Sequence, residues 1–253
     1  MTAERIFHWI LWTWIGLALL TFLLLSKVTA PYGRHVKRTW GPMLDHRLAW
    51  VIMEIASPLS FAFFFLNGEQ PKTTVLWLFF YLWIFHYINR SIVFPLRAKM
   101  DGRQMPILVM LFSILFNAVN GYLNGTYLGD LAPPYPTTWL LDIRFITGIF
   151  FFIAGILINY NADKTLIELR KPGNPEYSIP DEGMYRLITC PNYFGEIIEW
   201  LGFAIMTWSL PAFAFALWTA ANLLPRATAH HTWYLEHFDD YPQDRKAVIP
   251  FLW

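Results

Sequence analysis

Apolar runs of membrane length, separated by short charged segments, constrain this chain more than any other feature. The first, Ile6–Leu25, holds twenty residues without a charge, enough for a helix to cross a hydrocarbon layer of about 30 Å. It has no signal-peptide cleavage pattern and reads as a retained helix. Hydrophobic residues make up 56% of the chain and charged residues 15%, against about 45–50% and about 25% in ordinary soluble domains. The shortage of charge decides the class, because the charges present are gathered in a few loops. A net charge of +1 gives a nucleic acid no electrostatic footprint, so no such partner is expected. The single cysteine, Cys190, excludes an internal disulfide and a Cys-rich metal site.

Taken in order, Leu48–Leu66 forms a second span interrupted only by Glu54. Thr73–Asn89 is a third, with His86 and Tyr87 near its far end. Pro106–Asn124 is a fourth, with Asn117 and Asn120 three apart on one face, and Phe145–Tyr160 a fifth. Asn192–Leu223 is long for one helix, and Gly202 and Pro211 offer places to bend. It reads as two short spans joined by a tight turn. Lys27, Arg34, Lys37, Arg38 and Arg47 crowd one loop against Asp45 alone, and Arg90, Arg97, Lys99 and Arg103 face only Asp101 in another. The positive-inside bias makes both loops cytoplasmic. The expected architecture is all-α: a polytopic integral membrane protein, a seven-transmembrane helix bundle with its N-terminus outside and its C-terminus cytoplasmic. It reads as a single membrane domain, 1–253. No Gly-rich dinucleotide fingerprint and no Walker A pattern is present.

Polar residues inside apolar runs are costly, roughly 2.5–3.5 kcal/mol per charge at mid-helix on insertion scales, and mark pockets or partners. Glu54 is either an acid paired with a neighbouring helix or a carboxyl that burial keeps protonated, able to donate to a bound carbonyl. Tyr87 is either a girdle aromatic or a neutral proton donor. Tyr87 and Arg90, three apart, can share a helical face. Asn159 and Asp163 stand four apart, as do Asn192 and Glu196, with Glu199 beyond. Such pairs set an amide beside a carboxylate, suited to ribose hydroxyls or an amide-bearing ring, or else to hydrogen bonds between helices. Arg34 and Arg170 are edge cations that lipid headgroups also attract. His230, His231, Glu236 and His237 lack the HExxH spacing, so no metal is expected. Chemistry alone suggests a membrane enzyme with a pocket for a nucleotide-like cofactor, residues 161–253 supplying most of that pocket.

Several blocks resemble the steroid 5-alpha-reductase family, the 3-oxo-5-alpha-steroid 4-dehydrogenases. They are DIRF (Asp142–Phe145), LRKPG (Leu169–Gly173), NYFGEIIEW (Asn192–Trp200), AIMTWSLPAFAFA (Ala204–Ala216), HHTWYLEHFDDYP (His230–Pro242) and RKAVIPF (Arg245–Phe251). The first half is looser but supplies PYGRH (Pro31–His35), MEI around Glu54, and HYINR (His86–Arg90). The resemblance implies a seven-helix membrane fold and NADPH-dependent reduction of a delta-4 double bond conjugated to a 3-keto group. Glu54 and Tyr87 would then grip the keto oxygen while hydride reaches carbon 5. Asn159, Asp163, Arg170, Asn192, Glu196, His230 and Tyr234 would hold the NADPH. Arg34, Arg90 and Arg103 would meet its phosphates, with Tyr32, Tyr177 and Trp200 nearby. The expected partners are a hydrophobic 3-oxo-delta-4 steroid and membrane lipids, with the chain a monomer. Its membrane would be the endoplasmic reticulum in a eukaryote or the inner membrane in a bacterium.

The chain departs from the family pattern at three places. Ser178 stands where an Arg is common, Phe112 replaces an arginine of animal members, and the Arg90–Arg103 loop is two residues longer. RLITCPNYFGE (Arg186–Glu196) is also similar to S-adenosylmethionine-dependent membrane methyltransferases of the isoprenylcysteine or phospholipid type. That makes methyl transfer the alternative reaction. A non-enzymatic sterol-binding protein is a third class, and would need neither the arginines nor the paired Asn–Glu contacts.

Overall fold

The computed structural model describes residues 2–170 and 178–253. The helices are α1 (Ala3–Leu25), α2 (His46–Asn67), α3 (Thr74–Ile88), α4 (Phe94–Arg97), α5 (Ile107–Thr126), α6 (Ile143–Leu169), α7 (Pro191–Thr207) and α8 (Leu210–His237). π-helical turns extend α3 over Asn89–Val93 and α5 over Tyr127–Leu131. Two three-residue strands, β1 (Met43–Asp45) and β2 (Gln104–Pro106), pair antiparallel just ahead of α2 and α5, with Leu44 opposite Met105.

The all-α, multi-pass class holds, but the seven-span expectation does not. Among the described residues, four helical stretches are long and apolar enough to cross a membrane: Ala3–Leu25, His46–Asn67, Ile107–Leu131 and Ile143–Leu169. The shortfall has physical causes. α3 has 15 residues, about 22 Å at ~1.5 Å per residue, short of a layer of about 30 Å. α7 has 17 residues and carries Glu196 and Glu199. α8 is long enough, but its second half holds Arg226, His230, His231, Glu236 and His237. The placement of the N-terminus outside and the C-terminus in the cytoplasm rested on an odd number of crossings and goes with the count.

The chain forms two compact units, one built mainly from Ala30–Ile146 and the other mainly from Thr147–Trp208 and Ala212–Trp253. In the first, α2 and α5 run parallel along a seam of small residues. A Cβ on Gly121 would stand 2.6 Å from the Ser57 carbonyl oxygen, and one on Gly125 2.6 Å from that of Phe61. Partners rise together by four residues, so one face of each helix stays in register. At one end of the seam the Asn117 amide donates to the Met53 carbonyl (2.7 Å). At the other, the Lys72 ammonium donates to the carbonyls of Gly68 and Gly129 (both 2.9 Å) and of Gln70 (2.7 Å). Burial holds the Lys72 pKa below its ordinary value, and the Asp130 carboxylate partly offsets this. α3 lays its aromatic side chains on α2, Trp83 stacking on Phe61 with ring centroids 4.7 Å apart.

In the second unit, α6 and α7 run antiparallel along a glycine seam. A Cβ on Gly202 would stand 2.6 Å from the Gly148 carbonyl oxygen, and one on Gly155 2.5 Å from that of Gly195. α7 begins at Pro191, where a missing N–H costs nothing, and ends at Trp208, whose φ of 47° is left-handed. The break within the long apolar run is therefore at Trp208, not at Gly202 or Pro211. The C-terminal segment pairs with the residues just before α7. Thr189 N–H donates to the Lys246 carbonyl (2.8 Å), Cys190 N–H to that of Ala247 (3.0 Å), and Lys246 N–H to that of Leu187 (3.0 Å).

Candidate active site

Glu54 and Tyr87 both belong to the first unit. Glu54 follows Met53, so the Asn117 contact fixes the backbone beside it. Pro58 lies one turn on and has no N–H to give the Glu54 carbonyl, which therefore lacks its usual helical donor. The carboxylate is paired with a cation: Arg90 Nε stands 3.7 Å from Glu54 Oε1, both side chains largely shielded at 16% and 13% exposure. The π-helical turn after α3 carries Arg90 into this position. Its guanidinium lies over both the Trp50 ring (4.7 Å) and the Phe94 ring (5.2 Å), while Trp50 Nε1 donates to the Arg90 carbonyl (3.1 Å). Glu54 thus has an ion-pair partner on a neighbouring helical segment.

Tyr87 is buried, its ring against Trp83 and His86. Its hydroxyl donates to Asn117 Oδ1 at 3.5 Å. Because the Asn117 Nδ2 group must be the end that meets the Met53 carbonyl, Oδ1 is the end that faces the phenol. The phenol proton is thus aimed at a long, loosely held acceptor, which a better-placed oxygen can replace.

The second unit holds the amide and carboxylate pairs. Asn159, near the end of the glycine seam, donates to the Asn192 carbonyl (2.9 Å), and the Asn192 amide donates to Asp163 Oδ1 (3.1 Å). Asn159 and Asp163 are buried; Asn192 and Glu196 are half-buried. Tyr185 closes this corner by donating to the Ala162 carbonyl (3.2 Å). Burial, and then the Asp163 carboxylate, push its phenol well above the ordinary value. On α8, Arg226 Nε donates to Tyr193 Oη (3.0 Å), and that hydroxyl lies 3.2 Å from His230 Nε2. Tyr234 is buried and stacks on Tyr241 at 5.2 Å.

His231, next to His230, faces a different way. Its Nδ1 is 2.7 Å from Thr189 Oγ1, which is also 2.7 Å from Tyr241 Oη. Burial lowers the His231 pKa, and the charges of Arg245 and Lys246 lower it further. This cluster pins the C-terminal segment to the residues that lead into Asn192. No group of three or more His, Cys, Asp or Glu among the described residues is arranged to hold a metal ion.

The remaining expected site residues are scattered. Tyr32 and Arg34 flank Gly33 in a 3-10 turn, half-buried. Arg103 sits in the turn before β2, where its carbonyl accepts from His46 N–H (3.1 Å) and so starts α2. Arg170 follows α6, half-buried. Trp200 lies in the aromatic core, 4.4 Å from Phe215 between ring centroids and edge-on to Phe152 and Phe203. Tyr177 lies outside the described residues. Ser178 is exposed, and so is Phe112, on the outer face of α5. Sequence reading missed Tyr193 and Arg226, although a charge one turn before His230 on an apolar helix was a signal. It noticed Asn117 without giving it a part.

The family model for 3-oxo-5-alpha-steroid 4-dehydrogenase matches residues 103–253, more than half of the chain. Steroid 5-alpha-reductase DET2 of Gossypium hirsutum is 43% identical over 99% of this chain and 98% of its own length. The 3-oxo-5-alpha-steroid 4-dehydrogenase 1 of Bos taurus is 39% identical over 94% and 93%, and that of Homo sapiens 36% over 89% and 87%. With identity of this level along nearly the whole length, the chain belongs to the steroid 5-alpha-reductase (3-oxo-5-alpha-steroid 4-dehydrogenase) family.

Proposed function

We propose that this chain catalyses the NADPH-dependent reduction of the delta-4 double bond of a 3-oxo-delta-4 steroid, giving the 5-alpha-3-oxosteroid. The observation that carries the reading is that one unit holds both a buried phenol, Tyr87, and a shielded carboxylate, Glu54, amid aromatic side chains. A rigid apolar substrate with one keto oxygen needs an apolar site with one or two donors aimed at that oxygen. Tyr87 turns its O–H from Asn117 to the keto oxygen. Negative charge develops there as the enone is reduced, and a donor already in place stabilises it. Arg90 holds Glu54 and balances its charge, so the carboxylate can help orient the phenol.

The second unit's side chains suit the cofactor. Asn159, Asn192 and Asp163 form a chain of alternating donors and acceptors, with Glu196 one turn on, as an amide-bearing ring and ribose hydroxyls require. His230, Tyr234 and Arg170 continue that set, and Arg34 and Arg103 offer guanidinium groups to phosphates. NADPH, when bound, supplies the hydride that goes to carbon 5; a proton completes reduction at carbon 4. Arg90 serves Glu54 in this scheme rather than a phosphate. We assign the enzyme to the endoplasmic reticulum in a eukaryote or the inner membrane in a bacterium, acting as a monomer among lipids.

The test is direct. Protein purified into lipid nanodiscs should oxidise NADPH only when a 3-oxo-delta-4 steroid is added, and the product should carry a saturated A ring. No turnover with a panel of such steroids, together with binding of S-adenosylmethionine, would overturn the proposal in favour of methyl transfer.

A further inference from the structure

Three contacts fix the register between α2 and the helical segment from α3 to the start of α4. The Trp50 ring meets the Phe94 ring at 5.4 Å, Glu54 Oε1 meets Arg90 Nε at 3.7 Å, and Phe61 stacks on Trp83 at 4.7 Å. Steps of four and eleven residues up from Trp50 are matched by the same steps down from Phe94, as two antiparallel helices sharing one face require. The step of seven lies on that face too, and sets Ser57 opposite Tyr87. Ser57 is fully buried, at 0% exposure, and its Oγ has no hydrogen-bond partner among the described residues. A helical serine ordinarily donates back to the carbonyl one turn earlier. Here that carbonyl, of Met53, accepts from the Asn117 amide (2.7 Å) as well as from the helix ladder, so both of its lone pairs are taken.

From this geometry we infer that Ser57 is a second hydrogen-bond donor to the keto oxygen of the substrate, beside Tyr87. That role rests on the proposed reduction of a 3-oxo-delta-4 steroid. A keto oxygen has two lone pairs, and negative charge gathers on it when hydride reaches carbon 5. One phenol satisfies one lone pair. Near Tyr87, the Glu54 carboxylate faces Arg90 and Asn117 presents Oδ1, and both of these accept rather than donate. Ser57 brings a donor from the opposite helix. It keeps its own proton throughout and acts only by hydrogen bonding to the oxyanion. A buried hydroxyl left without an acceptor destabilises the free protein, and the substrate oxygen supplies that acceptor.

The experiment compares wild type with Ser57→Ala, which removes the hydroxyl and little else, in lipid nanodiscs. Equilibrium dialysis against NADP+-loaded protein measures the affinity for a 3-oxo-delta-4 steroid and for its 3-deoxy counterpart, which lacks the oxygen. Ser57→Ala should reduce the preference for the 3-oxo compound by about fivefold, as the loss of one hydrogen bond does. Turnover at saturating steroid and NADPH should fall about ten- to a hundredfold, as for a lost oxyanion donor. The free variant should resist thermal inactivation at least as well as wild type, since an unsatisfied polar group is gone. A uniform loss of affinity for both compounds, with earlier inactivation, would reveal a packing role and overturn the inference. Unchanged preference and turnover in Ser57→Ala, while Tyr87→Phe loses both, would overturn it and leave the proposed function standing. If Tyr87→Phe also leaves both unchanged, the reading of the site fails, and the role of Ser57 with it.

Discussion

The two glycine seams are built from the same material and run in opposite senses. In the first unit α2 and α5 are parallel; in the second α6 and α7 are antiparallel. Each has an asparagine near its end whose amide reads a backbone carbonyl on the other helix, Asn117 on Met53 and Asn159 on Asn192. Glycines let the backbones come close, and closeness puts a short side chain within reach of the opposite main chain. The sense of the seam decides what the asparagine serves. Parallel packing, stepping four residues at a time, sets Asn117 at the backbone next to Glu54 and leaves its oxygen facing Tyr87. Antiparallel packing brings the last turns of α6 to the first turn of α7, so Asn159 and Asp163 flank Asn192. One seam sets the acceptor beside a buried phenol; the other assembles a row of donors and acceptors.

The largest expected effect separates these two duties. Tyr87→Phe should lower turnover about a hundredfold or more, in the range of about 10²–10⁴ that a positioned proton donor contributes. NADPH affinity, measured by fluorescence titration, should stay within about twofold. If the variant loses cofactor binding instead, the division of labour between the seams is broken.

Next come the seams themselves. Gly121→Ala sets a methyl against the Ser57 carbonyl, and Gly155→Ala sets one against Gly195 and Glu199, both of them backbone contacts that cannot swing aside. Overpacking of this kind costs about 1–3 kcal/mol, so both variants should inactivate at lower temperature than wild type. Their residual activity should differ in kind, Gly121→Ala through turnover and Gly155→Ala through NADPH affinity. The same kinetic defect in both would show that the seams give stability but no register. A milder probe of the second seam is Asn192→Ala. It removes the hydrogen bond to Asp163, a charged acceptor worth about 1.5–3 kcal/mol, and part of the proposed cofactor contact. NADPH should bind roughly tenfold more weakly, while turnover at saturation falls far less than in Tyr87→Phe.

Much of this was legible in the sequence, and the failures have a pattern. Polar residues in apolar runs led to Glu54, Tyr87 and the Asn–Asp and Asn–Glu pairs, because burial makes such residues expensive wherever they lie. The number of spans was overread, because apolar character alone does not show that the 15-residue α3 and the 17-residue α7 are short for a crossing or that α8 gathers its charges in its second half. The break in the long run was not legible. Gly202 and Pro211 were the natural candidates, yet Gly202 serves the close approach to Gly148, and Pro211 sits in the first turn of α8, where proline is tolerated. The chain turns instead at Trp208, a bulky residue in a left-handed conformation, which no pattern announces. The ion pair of Arg90 with Glu54, 36 residues away in sequence, was not legible either, since only the fold brings the two together.

The smallest expected effect lies on the C-terminal segment that steadies the second seam and has no counterpart in the first. His231 meets Thr189 and Tyr241, with Arg245 and Lys246 contributing positive charge from the C-terminal segment. Its pKa is lowered in the fold, so at mildly acid pH the unfolded chain binds the proton more readily than the folded one. Stability is then full above the ordinary histidine value of about 6.5 and declines as pH falls below it. Resistance of the C-terminal segment to limited proteolysis should follow that course between pH 8 and pH 5. His231→Asn keeps a short amide near Thr189 and removes the titration, so its profile should be flatter. The pH dependence of turnover should not change in that variant. If it did, the C-terminal segment would be acting on the substrate side, and the two units could not be assigned separate tasks.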